Sequence, residues 1–363
     1  MQTLAENPFV EKELVELASR YLPDSISREE SISSELLSGD AGFRNYFRLS
    51  TQPSVLGVYS NPEQEDWVAF MRVSHLLDSL KVRVPQIYAA NLQAGMLIIE
   101  DLGDQVLQPA LMQQDHTERL YKKALESLTT LLSCQDRPSW LPRYSDALLR
   151  QEMELFPTWF VQKMLGHKID EAESKLFTDT FSYLVSQALD QPQVLVHRDY
   201  HCRNLIEIDA GSDKENRGIG VIDFQDAVWG PVTYDLVSLS RDCYVRWNRS
   251  RVTQIREDFA QNLLDASLID EEQIAHFPQW FECMSAQRHL KVLGIFARLA
   301  LRDGKNEYLS DLPLALRYLI ETCEQEVYLQ NFADWLKNTI VPLAENQPWY
   351  VDWRTAGNDK TVW

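Results

Sequence analysis

Val194-Leu195-Val196-His197-Arg198-Asp199-Tyr200-His201-Cys202-Arg203-Asn204 is the stretch on which the fold assignment turns. A short apolar run ends abruptly in polar and ionisable residues, the pattern of a buried strand that delivers a loop into a cleft. Asp199 and Asn204 stand in the H-R-D-x-x-x-x-N spacing that phosphoryl transfer asks of a catalytic loop. A carboxylate at the first position orients and deprotonates an attacking hydroxyl. A neutral amide oxygen at the second holds Mg2+ without adding negative charge beside ATP.

Further along, Gly220-Val221-Ile222 leads into Asp223-Phe224, a second apolar strand ending in a carboxylate. Leu205 to Asp209 can run outward, Ala210 to Gly218 is dense in turn residues, and Ile219 to Asp223 can return antiparallel. That hairpin predicts Asp223 opposite Asn204, an amide and a carboxylate suited to Mg2+, which takes few protein ligands. The competing reading makes Asp199 a loop cap and Asp223 an ordinary turn acid.

The rest of the chain supplies two contrasting parts. Phe9 to Leu22 has helical periodicity, followed by strand patterns at Ser31–Leu37, through Phe43–Leu49 and at Ser54–Tyr59. A helix is predicted from Pro62–Asp66 through Leu80, then strands at Gln86–Ala90 and Met96–Glu100. Gly39 and Gly42 lie between strands, where backbone N–H groups can approach anionic oxygens. After Asp101-Leu102-Gly103-Asp104 long helical patterns take over: Thr117–Ser133, Leu148–Leu165, Glu171–Leu189, Tyr234–Arg246, Arg251–Ala266, Trp280–Arg302, Leu312–Leu329 and Phe332–Leu343. The expected architecture is α+β and bilobal, protein-kinase-like, with a small β-rich N-lobe (1–103) and a large helical C-lobe (104–363) that carries the catalytic loop.

Composition narrows the partners. The 363 residues carry a net charge of −19, which repels nucleic acid and anionic membranes. Five widely spaced cysteines without a C-x-x-C pair predict reduced thiols and neither a zinc nor a disulfide framework. His197, Asp199 and His201 superficially suggest a metallohydrolase, but no further His-rich segment supports zinc. The N-terminal stretch has no apolar core of a signal peptide, and the best apolar run, Val292–Leu301, contains Arg298. A cytoplasmic monomer is expected.

His197–Asn204 followed by Val221-Ile222-Asp223-Phe224 resembles the aminoglycoside phosphotransferase branch of the protein-kinase-like fold. Gly230-Pro231-Val232-Thr233-Tyr234-Asp235-Leu236 is similar to that family's G-x-x-x-x-D-L element, and Glu100-Asp101-Leu102-Gly103 to its adenine-binding hinge. Gly39–Leu49, Leu155–Phe160, Asp223–Tyr234, Arg241–Tyr244 and Gln287–Leu299 together resemble the anomeric kinases of bacterial cell-wall recycling. Those enzymes phosphorylate N-acetylmuramic acid and N-acetylglucosamine at the C1 hydroxyl with ATP.

The resemblance implies Asp199 as the base, Asn204 and Asp223 as Mg2+ ligands, and Asp235 as a brace for the loop, with His197 orienting it. For ATP it implies Gly39, Gly42, Arg44, Glu100 and Leu102. Arg203, Asp226 and Arg241 are candidates for contacts to the sugar; Asp242, Glu154, Trp159 and Arg288 are weaker ones, whose competing reading is salt bridging and helix packing. One departure stands out. Ser54–Tyr59 has no lysine where kinases carry the V-A-I-K lysine, so Arg44 or Arg48 is the expected substitute. The alternatives are another small-molecule kinase (for an aminoglycoside, choline or homoserine) or a catalytically silent scaffold. No A-P-E element follows Phe224, which argues against a protein kinase.

Overall fold

Strand-forming segments at residues 45–49, 55–59, 87–91 and 96–100, the last with a continuous apolar run buried on both faces, build the sheet of the N-terminal unit. The computed structural model describes residues 8–28, 32–37, 44–112, 117–208 and 218–362; Gly39 and Gly42 lie outside them. The first of two units joins Met1–Gln105 with Ile206–Asp226, and the second joins Val106–Leu205 with Ala227–Trp363.

In the first unit, α1 (Pro8–Tyr21) precedes β1 (Ser27–Arg28), β2 (Ser34–Leu37), β3 (Asn45–Leu49), β4 (Thr51–Gln52) and β5 (Val55–Tyr59). Helix α2 (Trp67–Ser79), β6 (Ile87–Asn91) and β7 (Met96–Glu100) follow. The five-stranded sheet has the order β2-β3-β5-β7-β6 and is antiparallel throughout. Val10, Leu14 and Ala18 of α1 pack with Phe47, Leu49, Val55, Met96 and Ile98. Gly57 lets the helix approach the sheet, since a Cβ there would sit 3.1 Å from Leu14 Cδ1. Helix α2 starts later than its sequence pattern suggests, because the Asp66 side chain accepts from Ala69 N and caps it. Leu205–Ile208 pairs with Gly218–Val221 in a separate two-stranded sheet. This segment is tied to the first unit by Glu207 N donating to Gln105 O and Val221 N to Arg83 O, both 2.8 Å.

The second unit is organised on one long helix. Its helices are α3 (Leu107–Leu111), α4 (Thr117–Leu132), α5 (Asp146–Met153), α6 (Glu171–Asp190), α7 (Tyr234–Ser240), α8 (Arg249–Asp265), α9 (Glu271–Asp303) and α10 (Leu312–Gln325), of which α5, α6, α7, α8 and α10 pack against α9. Helix α9 begins nine residues before the expected Trp280 because Asp270 and Gln273 form a capping box, and it ends at Gly304 in the left-handed conformation, φ 70°. Nearly every side chain from Phe277 to Ala297 is buried. A π-helix, Phe156–Met164, replaces the second half of the single helix expected over Leu148–Leu165. It lies against α9 at Gly294, where a Cβ would come within 2.4 Å of the Leu155 carbonyl carbon. Helix α7 stops at Ser240, short of the expected Arg246, as Arg241 leaves helical geometry (φ −124°, ψ 46°).

Candidate active site

The strand Gln193–Val196 pairs antiparallel with Val228–Pro231, Val196 opposite Val228, and hands the chain to the loop at His197. Arg198 takes φ 76°, a conformation that a bulky residue keeps only when its surroundings over-determine it. Asp235 supplies that restraint. Its carboxylate accepts from His197 N (2.6 Å) and Arg198 N (3.0 Å), and burial pushes it up to about 6 against the pull of His197 and those two N–H groups. His197 is buried and its Nδ1 accepts from Asp199 N at 3.3 Å.

The loop then folds on itself. His201 N donates to Asp199 O (3.0 Å) and Asn204 N to His201 O (2.9 Å). Asn204 Nδ2 donates to Asp199 O at 3.0 Å, which orients the amide and leaves Oδ1 for a ligand. Tyr200 anchors the loop through its hydroxyl to Ala124 O (2.8 Å), and Cys202 N donates to Asp242 Oδ2 (3.0 Å). The other Asp242 oxygen accepts from Tyr244 N at 2.5 Å. Asp242 is therefore a second brace of the loop, through backbone N–H groups and not through a salt bridge.

The Asp199 side chain is partly accessible, 37% exposed, at the surface of the loop. Arg288 Nη1 lies 3.9 Å from Asp199 Oδ1 and donates to Arg198 O at 2.8 Å. Desolvation pushes the Asp199 carboxyl up, but Lys291, Arg288, His201 and Arg198 outweigh it and hold the group well below the usual carboxylate range. The cations are themselves held. Lys291 Nζ lies 3.3 Å from Glu152 Oε1 and donates to the Tyr234 hydroxyl at 3.1 Å. Glu152 also accepts from Arg198 and from the Tyr144 hydroxyl. Burial raises Glu152, and Lys291 with Arg198 brings it below its ordinary range. Glu152 and Lys291 escaped the sequence reading, since one buried acid and one buried lysine on apolar-patterned helices carry no motif.

Arg203 stacks on Tyr244 at 3.6 Å from the ring centroid and donates to Gln108 Oε1 (2.8 Å). Arg241 corrects its expected role. Both terminal nitrogens donate to Glu282 (2.6 and 2.7 Å), one also to Thr322 Oγ1 (2.9 Å), and the residue is buried. Its guanidinium is spent on a core ion pair and is not offered to a sugar.

In the first unit, Asp223 follows the strand Gly218–Val221 and takes φ 62°. Phe224 is buried against Phe70, ring centroids 4.9 Å apart. Asp223 Oδ1 accepts from Arg44 Nη2 (3.3 Å) and Gln225 Nε2 (3.0 Å). Gln225 Nε2 also reaches Asp226 Oδ2 at 3.4 Å. Arg48 is committed elsewhere, forked onto Asp101 (2.6 Å) and Asp104 (2.7 Å). Asp101 also accepts from Gly103 N (2.9 Å), shaping the turn after Glu100. The Glu100 side chain pairs with Arg83 and accepts from Gln86 N at 3.2 Å. Leu102 packs where a Cβ on Gly220 would come within 2.6 Å of its Cδ1.

Among the described residues no group of three or more His, Cys, Asp or Glu side chains is arranged to hold a metal ion. Among the same residues no helix is long and apolar enough to cross a membrane.

A small antiparallel sheet and a large helical unit with a braced H-R-D loop define a kinase-like phosphotransferase. The chain belongs to the phosphotransferase enzyme family, whose profile matches residues 33–277. It is 40% identical over 286 residues to an N-acetylmuramate/N-acetylglucosamine kinase of Pseudomonas putida, covering 78% of this chain and 81% of that protein. A Neisseria meningitidis protein of the same name is 37% identical over 284 residues, covering 77% and 82%. Among solved structures, choline kinase from Cryptosporidium parvum superposes with a TM-score of 0.60 at 14% identity, over 92% of this chain and 99% of that one. That likeness speaks for the fold.

Proposed function

We propose that this chain is an ATP-dependent kinase that phosphorylates the anomeric C1 hydroxyl of N-acetylmuramic acid and of N-acetylglucosamine. The observation that carries the reading is the braced loop that presents Asp199 and the amide of Asn204, in a chain 40% identical to a kinase named for both sugars. Asp199 accepts the hydrogen bond of the sugar hydroxyl and aims its oxygen at the γ-phosphorus. As the new P–O bond forms and the bond to the ADP oxygen breaks, the hydroxyl proton passes to the Asp199 carboxylate. A carboxylate held below its usual range by Lys291 and Arg288 is a weak base. It suits a late proton transfer and an anomeric hydroxyl, which is more acidic than an ordinary sugar alcohol.

Asn204 and Asp223 are the residues that would hold Mg2+, and the ion when bound neutralises phosphate charge. Glu100 and Leu102 belong to the turn we assign to adenine, and Gly39 and Gly42 to the segment we assign to the phosphates. Arg203 and Asp226 are proposed contacts for the sugar. Asp235 and His197 hold the loop without touching the reactants. The reading is tested by Asp199→Asn. We expect kcat to fall by roughly two to four orders of magnitude, the range for loss of a general base, with MgATP affinity retained. Near-normal turnover would remove Asp199 from this role.

A further inference from the structure

The strand β5 that would carry the phosphate-gripping lysine of a kinase reads Val55-Leu56-Gly57-Val58-Tyr59, with no cation. Its neighbour β3 pairs with it, Asn45 opposite Tyr59, and Arg44 stands one residue beyond that pair. The guanidinium is drawn in three directions: Nε lies 3.3 Å from Glu65 Oε2, Nη2 3.3 Å from Asp223 Oδ1, and Nη1 donates to the Tyr46 hydroxyl at 3.3 Å. It also lies over the Phe70 ring, 5.8 Å from the centroid. The Arg44 and Glu65 side chains are only 9% and 12% exposed, whereas Asp223 is 44% exposed. Glu65 immediately precedes Asp66, the cap of α2, so its backbone is fixed.

Resting on the kinase reading, we propose that Glu65 is a positioning residue that holds Arg44, and that Arg44 supplies to the nucleotide phosphates the charge that β5 lacks. Glu65, Asp223 and Asp226 repel one another, and desolvation together with Asp226 and Asp223 raises the Glu65 carboxyl while Arg44 lowers it. The guanidinium therefore offsets the two carboxylates it touches, Glu65 and Asp223, and a polyphosphate needs that charge in order to approach. Asp223 would be a ligand of Mg2+, and giving Oδ1 to the ion would free Nη2. Nε stays on Glu65, and the planar fork directs the released N–H toward a phosphate oxygen. Arg48 does not compete for the role, being bound to Asp101 and Asp104.

The test is calorimetric binding of MgATP and of adenosine to Arg44→Met, Arg44→Lys and Glu65→Gln, with thermal unfolding of each. Arg44→Met should weaken MgATP by roughly 10- to 100-fold, the worth of one charge-assisted hydrogen bond, with adenosine unchanged within about twofold. Glu65→Gln should weaken MgATP alone by roughly 3- to 10-fold, and Arg44→Lys should restore part of the loss. Should Arg44→Met unfold, the same selectivity in the other two variants carries the proposal. Equal loss of MgATP and adenosine, or MgATP binding within about twofold of wild type in every variant, overturns it. Wild-type protein that binds no MgATP overturns the kinase reading along with it; wild-type binding with indifferent variants overturns this inference alone.

Discussion

Asp235→Ala removes the carboxylate that fixes the start of the catalytic loop, and its cost can be worked from the structure. The side chain accepts two backbone N–H groups, at 2.6 and 3.0 Å. Charge-assisted bonds contribute about 1.5–3 kcal/mol each, a gross loss of about 3–6 kcal/mol. Against this, burial pushes the carboxyl up to about 6 from an ordinary 3.8, so removing the buried charge returns about 3 kcal/mol. The net destabilisation is then at most about 3 kcal/mol, a melting temperature lower by up to roughly 10 °C. Function should suffer more than stability, because Arg198 at φ 76° relaxes once its restraint is gone. Misplacing Asp199 by a fraction of an ångström to an ångström lowers kcat by roughly 10- to 100-fold. Asp235→Asn keeps the volume but offers one acceptor oxygen, and should fall between wild type and Asp235→Ala. The assay is calorimetric melting alongside steady-state ATP turnover. A variant that melts within about 1 °C of wild type and turns over within about twofold would refute the brace.

Gly294→Ala places a Cβ within 2.4 Å of the Leu155 carbonyl carbon; forcing α9 from the π-helix should cost about 1–3 kcal/mol, read as a lower melting temperature. All five cysteines are buried, and burial pushes Cys202 and Cys283 up, the latter to about 12. Thiol titration at pH 8 should therefore label fewer than about one cysteine per native chain and all five after denaturation; rapid native labelling at Cys202 would contradict the packed loop.

The parts legible in sequence were those with a local signature. Val194–Val196 reads as a strand because an apolar run stops at a polar loop, and Asp199 and Asn204 show themselves by spacing. Strand β3 follows from its alternating aromatics, and β5 and β7 from short apolar runs, over residues that do pair. What stayed hidden depends on distant partners. Nothing local to Glu152 or Lys291 says that the two meet near Asp199, and nothing local to Arg241 says that Glu282, on another helix, holds its guanidinium. Helix α7 looked longer because its apolar pattern continues past Ser240, but Asp242 turns its carboxylate to Cys202 N and Tyr244 N and the chain leaves the helix. Leu148–Leu165 read as one helix for a related reason: π geometry keeps the apolar face while shifting its register.

The most direct measurement of the central claim is phosphorus and proton NMR of the product formed from MgATP with N-acetylmuramic acid and, separately, with N-acetylglucosamine. The account predicts that both sugars are consumed and that the phosphorus couples to the anomeric proton, a sugar 1-phosphate, with ADP released in step. Phosphate on O6, or no reaction of either sugar while choline, homoserine or an aminoglycoside is phosphorylated, would contradict it.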